Sequence, residues 1–169
     1  VGLGVSTLRS TNTGSYNVAV GDNSLSDNTS GGENTAVGYN ALYNNETSSN
    51  NTAIGFDSMR GNTTGTGSTA VGGASLRTSN ANYNSAFGYQ TGRAINSGAN
   101  NTLVGAWTGY NVNSGSYNTA VGYYALQTAT SGGGNVAIGS NALEDTTASS
   151  NTSVGKQAGK QITSGSGNT

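Results

Sequence analysis

Five of the six basic side chains in this 169-residue chain fall at one place in a recurring phrase, five residues after a glycine: Arg9, Arg60, Arg77, Arg93 and Lys160. A line of cations could hold a polyanionic glycan or matrix polymer by charge. Ser26, Tyr43, Tyr110, Gln127 and Glu144 interrupt the line, so the plainer reading is a solvated edge that discourages edge-to-edge aggregation. The single tryptophan, Trp107, is the best candidate for stacking on a sugar ring.

Composition excludes most other chemistry. The chain has no His and no Cys. An imidazole base, a catalytic triad, a His or thiolate metal site and a disulfide are therefore ruled out. The seven acids are scattered and show no calcium-loop spacing. Glu144 and Asp145 are adjacent, but paired catalytic carboxylates need a cleft between them. "GTGSTAVGG" is glycine-rich yet lacks the lysine and the strand–helix setting of a phosphate loop. The reading is no catalytic residue, no metal and no cofactor. A net charge of -1 gives no reason to expect nucleic acid or an anionic membrane surface. No apolar run approaches the roughly 18 residues that span a bilayer. The chain opens at Val1 without Met or a signal peptide and reads as a piece of something longer.

What positions these side chains is a repeat. Leu, Ile, Val and Phe make up only 25 of 169 residues. That is too lean for an ordinary globular core, and charge is too scarce for a typical disordered chain. A glycine closes each copy, at Gly4, Gly21, Gly38, Gly55, Gly72, Gly88, Gly105, Gly122, Gly139 and Gly155. The intervals are 17 residues, except for two of 16, from Gly72 to Gly88 and from Gly139 to Gly155. The array runs over 1–169 as one domain, without a linker. Order therefore comes from register, as in a solenoid.

Each copy has a grammar. Four residues before the glycine stands Asn17, Asn34, Asn51, Asn84, Asn101, Asn118, Asn135 or Asn151, with Ser68 as the exception. These amides are expected to stack as a structural ladder. The apolar residue just before the glycine is Val20, Val37, Ile54, Val71, Phe87, Val104, Val121, Ile138 or Val154. The five residues from Asn to Gly alternate like a strand, with Thr and Val on one face and Ala and Gly on the other. The alternation predicts the Val/Ile column in the lumen as core and the Ala/Gly face as a smooth surface for a neighbouring chain. A Leu or Met four residues after the glycine is expected to share that core. Seventeen residues suit a flattened coil of two short strands and two turns.

Three copies replace that Leu with Gly92, Gly109 or Gly159 and place Ile95, Val112 or Ile162 three residues later. The core-filling group has moved along the coil. Aromatics also fall in columns: Tyr39, Phe56, Tyr89 and Tyr123 follow the glycine, and Tyr16, Tyr83 and Tyr117 precede the Asn.

The phrases "NTAVGYNAL", "NTAIGFDSM", "NTAVGYYAL" and "NVAIGSNAL" resemble the head repeats of YadA-like trimeric autotransporter adhesins, and similar arrays of phage tail fibres. "VAIGSNA", from Val136 to Ala142, is the closest match. The resemblance covers all ten copies. It implies an all-β parallel solenoid, a left-handed β-roll of about ten 16–17-residue coils, joined as a homotrimer. The longer period, and Thr in place of the first apolar residue of the family's core, imply a larger and more polar coil.

The function expected is a non-enzymatic, structural or adhesive segment of an extracellular fibre, on a bacterial surface or a phage virion. Its partner is itself, with host or cell-surface glycans or matrix as further partners. Nucleic acid is not expected, nor membrane contact within the segment. Two alternatives belong to other classes. An ice-binding solenoid needs outward Thr, whereas Thr here shares a face with Val, which directs it inward. A polysaccharide lyase needs Arg, Lys and acids clustered in a groove, which coils this short and neutral do not offer.

Overall fold

The structure, a computed structural model, describes residues 1–10 and 13–169. Its strands are β1 (Gly2–Leu3), β2 (Val18–Val20), β3 (Thr35–Val37), β4 (Thr52–Ile54), β5 (Thr69–Val71), β6 (Ser85–Phe87), β7 (Thr102–Val104), β8 (Thr119–Val121), β9 (Val136–Ile138) and β10 (Thr152–Val154). They form one ten-stranded sheet in chain order. Every pair is parallel, and like stacks on like: Thr35 on Thr52, Ala36 on Ala53, Val37 on Ile54. The two 16-residue intervals are absorbed without a register slip, since Thr69 pairs Ser85 and Val136 pairs Thr152. The fold is the expected parallel β-solenoid. Among the described residues no helix is long and apolar enough to cross a membrane.

Each coil carries one strand, where two were expected. The far side cannot be a strand, because it holds single residues in the left-handed region. In one coil these are Asn40 at φ 55° and Leu42 at φ 51°. A left-handed residue breaks the pleat. The backbone of this side nonetheless bonds to the next coil, with Leu42 N–H donating to Ser58 O at 3.0 Å and Asn44 N–H to Arg60 O at 3.0 Å.

The sheet is also turned over relative to expectation. The central Ala of each strand points into the lumen: Ala19, Ala36, Ala53, Ala70, Ala86, Ala120 and Ala137 have no exposed surface. The residues on either side of it point out. Ile54, Phe87, Val104, Val121 and Ile138 are 38–42% exposed, and Val154 is 67% exposed. Val20, Val37 and Val71 are half-buried. The column assigned to the core is thus the outer face, and the face assigned to a neighbouring chain is the interior. The reason is the width of the coil. From the opposite wall, Leu25, Leu42, Met59, Leu76, Leu126 and Leu143 fill the lumen completely. Only a methyl group fits between such a side chain and the sheet.

The variant coils confirm the pairing of these columns. Where Gly92 and Gly109 remove the Leu, the intervening strand carries Leu103 in place of Ala, and Leu103 is fully buried. A Cβ on Gly109 would lie 2.7 Å from Leu103 Cδ1. Ile95 and Val112 are buried as expected, and Ile162 packs against the same core.

The Asn ladder is realised, in a more specific form than amide-on-amide stacking. Each Oδ1 accepts the backbone N–H of the next Asn, for example Asn34 to Asn51 and Asn118 to Asn135, at about 3 Å. From Asn17 to Asn118 each Nδ2 reaches across its own coil to a carbonyl fourteen residues on, as Asn101 to Gly115 O at 2.9 Å; Asn135 Nδ2 reaches Ala148 O, and Asn151 Nδ2 has no partner among the described residues. Ser68 does the same work: its N–H donates to Asn51 Oδ1, and its Oγ accepts from Asn84 N–H. A second ladder of Asn28, Asn45 and Asn62 runs through the first coils.

Asn118→Ala would strand two buried partners, Asn135 N–H and Gly132 O, while Asn101 Oδ1 keeps the N–H of residue 118. An unpaired buried polar group costs about 1–3 kcal/mol. The expected loss is about 3 kcal/mol, read by urea denaturation. Hydrogen exchange should speed first at Asn135.

Candidate functional site

The sheet presents two parallel ranks of side chains to the outside. The first is Thr35, Thr52, Thr69, Thr102, Thr119 and Thr152, with Val18, Ser85 and Val136 in the same register. The second is the Val/Ile/Phe column. Stacked at about 4.8 Å per coil, the eight steps from β2 to β10 span roughly 38 Å. A contiguous apolar stripe beside a polar rank is the kind of surface that marks an interaction site. Outward Thr was missed because the face was inverted. The sequence held a signal for it: Leu103 replaces Ala in the one strand flanked by Gly92 and Gly109, so the Ala and Leu columns must face each other.

The basic column lies along one edge, and each member already has a partner. Arg9 pairs with Asp27 at 3.5 Å, Arg77 with Asp57 at 3.0 Å and Lys160 with Glu144 at 3.1 Å. Arg60 is 3.8 Å from Asp57, and its guanidinium also lies over the Tyr43 ring at 5.8 Å. Arg93 lies over the Tyr110 ring and donates to its hydroxyl at 2.9 Å. The cations therefore stitch neighbouring coils together, but Arg60 and Arg77 share one carboxylate and Arg93 meets only a neutral phenol, so the column is neutralised in part.

Asp57 is the hub. It is buried, and it accepts from Asn40 Nδ2 and from Arg77 Nε, each at 3.0 Å. Charged hydrogen bonds of this kind contribute about 1.5–3 kcal/mol, while an exposed pair such as Arg9–Asp27 contributes about 0–1 kcal/mol. Asp57→Asn is expected to lower the thermal midpoint clearly, and Asp27→Asn hardly at all, by calorimetry in the same buffer.

Trp107 does not stand free for a ligand. Its ring stacks on Tyr124 at 5.4 Å and meets the edges of Tyr89 and Tyr123. Its Nε1–H donates to Gln90 Oε1 at 2.9 Å. Tyr124, which sequence reasoning passed over, completes this cluster. A side-chain hydrogen bond with Tyr123 holds the Tyr124 phenol above its usual range. Tyr39 and Phe56 stack on each other in the same edge column at 5.7 Å. Tyr16, Tyr83 and Tyr117 are exposed, and Tyr83 lies across Gly67.

Among the described residues no three acids converge as metal ligands. Glu144 and Asp145 diverge: Glu144 accepts from Asn141 Nδ2 and faces Lys160, whereas Asp145 accepts from Thr128 Oγ1. The site with the most unsatisfied surface is thus the Thr/Val face. Comparison with protein-family models, with curated proteins and with solved structures finds no match to this chain.

Proposed function

We propose that the chain is a segment of a trimeric extracellular fibre, a rod that forms or presents a binding region on a bacterial surface or phage virion. The observation that carries this reading is the Val/Ile/Phe column, unbroken over nine coils from Val20 to Val154 and directed outward. A thin coil with a lean lumen gains the burial it lacks when other copies cover that column. Three copies around one axis would bury three such columns together and leave the edges with the Arg, Tyr and Trp side chains at the surface. The resemblance to YadA-like head repeats favours three over two. The trimer interface is then the Thr/Val face, in place of the Ala/Gly face expected from the sequence. Negative-stain imaging should show rods with three-fold end views. Single thin coils without three-fold symmetry would overturn the reading.

A second reading gains from the same face. Thr directed outward in register is what an ice-binding solenoid requires. Thr in these strands faces outward and not inward as expected from the sequence, which removes the objection. Against it stand the bulky Phe87 and the breaks in the Thr rank at Val18, Ser85 and Val136. The two readings compete for one surface, since a trimer buries it and an ice binder leaves it free. Thermal hysteresis of the dissolved protein decides between them.

A further inference from the structure

We infer that a cleft on the turn side of the variant coils binds a neutral, linear, β-linked oligosaccharide. The cleft has a volume of about 410 Å³ and is walled by Thr78, Ala94, Asn96, Asn111, Asn113, Thr128 and Thr130, the Thr128 hydroxyl being already bonded to Asp145. Its origin is local. In the coils that carry Gly92 and Gly109, Ile95 and Val112 turn inward to fill the lumen. Their chain neighbours are thrown outward on either side, Ala94 and Asn111 on one wall and Asn96 and Asn113 on the other. Ala94 is small, so the trough is not filled from that side.

Three observations define the ligand. The first is unspent hydrogen-bonding capacity. The ladder Asn side chains are bonded between coils, whereas those of Asn96, Asn111 and Asn113, like those of Asn44, Asn50 and Asn100, make no hydrogen bond among the described residues, and only the first three converge on one cleft. An amide offers both donors and an acceptor, which matches vicinal hydroxyls. The second is the absence of charge in the lining. A sulfated or carboxylated polymer has no counter-charge to meet there. The third is repetition. Asn96 and Asn113 occupy equivalent places one coil apart, about 4.8 Å, close to the rise of an extended pyranose chain. A peptide strand fits less well, because strand addition needs free backbone groups. The N–H groups of Ala94, Asn96 and Asn111 are already bonded to Tyr110 O, Asn113 O and Gln127 O.

This proposal deepens the fibre reading by naming a ligand class and its place. No cleft residue belongs to a strand, so the two can fail separately. The test is calorimetric titration of the intact protein with hexasaccharides of β-1,4-linked glucose, mannose and N-acetylglucosamine, with a heparin hexasaccharide as the anionic probe. Sedimentation of the same sample reports the oligomeric state. Saturable binding of at least one neutral probe is expected, at least tenfold weaker in Asn111→Ala/Asn113→Ala and unchanged in Asn44→Ala. The double variant should melt with the parent, because neither side chain supports the fold. Failure of every neutral probe to bind would overturn the proposal. So would equal binding by the double variant, or binding of heparin alone that is lost in Arg93→Ala. A monomer that binds the neutral probe upholds the cleft and defeats the trimer.

Discussion

Gly72→Ala is expected to break the array at its middle, with a loss of about 4 kcal/mol in urea denaturation. Gly72 sits at φ +136°, a conformation that side chains rarely adopt, and a Cβ there would lie 2.2 Å from the carbonyl oxygen of Gly88. Backbone strain alone costs about 1–3 kcal/mol. The clash cannot be relieved by spreading the coils. Gly72 N–H bonds Ile54 O at 2.7 Å, and Gly88 N–H bonds Val71 O at 2.8 Å, so the rungs are clamped on both sides. The neighbouring Gly73→Ala provides the contrast. Its Cβ would meet only the Tyr89 ring, at 3.3 Å, and a surface ring can move. A small change is expected there. Equal effects at the two positions would mean that the glycine column is not what sets the coil spacing.

Val104→Lys is expected to leave the coil folded and to prevent its assembly. Val104 is 38% exposed on the outer face, so an isolated coil can hold a lysine there with its ammonium in water. In a trimer the same position brings three cations into an apolar seam. An unpaired buried charge costs about 3–5 kcal/mol, which at 1.4 kcal/mol per decade weakens assembly by more than about a hundredfold. Tyr117→Lys lies before the Asn and off this face, and should assemble normally. Sedimentation velocity across a dilution series compares the two. Normal assembly of Val104→Lys would remove the Thr/Val face from the interface.

The repeat length, the parallel register, the Asn ladder and the compensating Ile95 and Val112 were all legible in the sequence. Each is fixed by identity at constant spacing, and stacking coils makes spacing into contact. The orientation of the sheet was not legible from alternation, which separates two faces without saying which is inside. Hydropathy favoured Val over Ala as core, and it failed because the lumen is narrower than a Val–Leu pair. The covariation of Leu103 with Gly92 and Gly109 would have given the answer. The basic column was visible as a column, but its partial neutralisation was not. Asp57 and Asp27 occupy different places in the repeat from their arginines and meet them only through the stacking of coils. The cleft was invisible for a similar reason, since it follows from the small size of Ala94 beside the inward turn of Ile95.

Sedimentation equilibrium tests the central claim most directly, that other copies cover the outward Thr/Val face. The chain mass is 16.7 kDa. The account predicts a single species at three times that value, stable on dilution and lost in Val104→Lys. A folded species that holds at one chain mass across the same concentrations would contradict it.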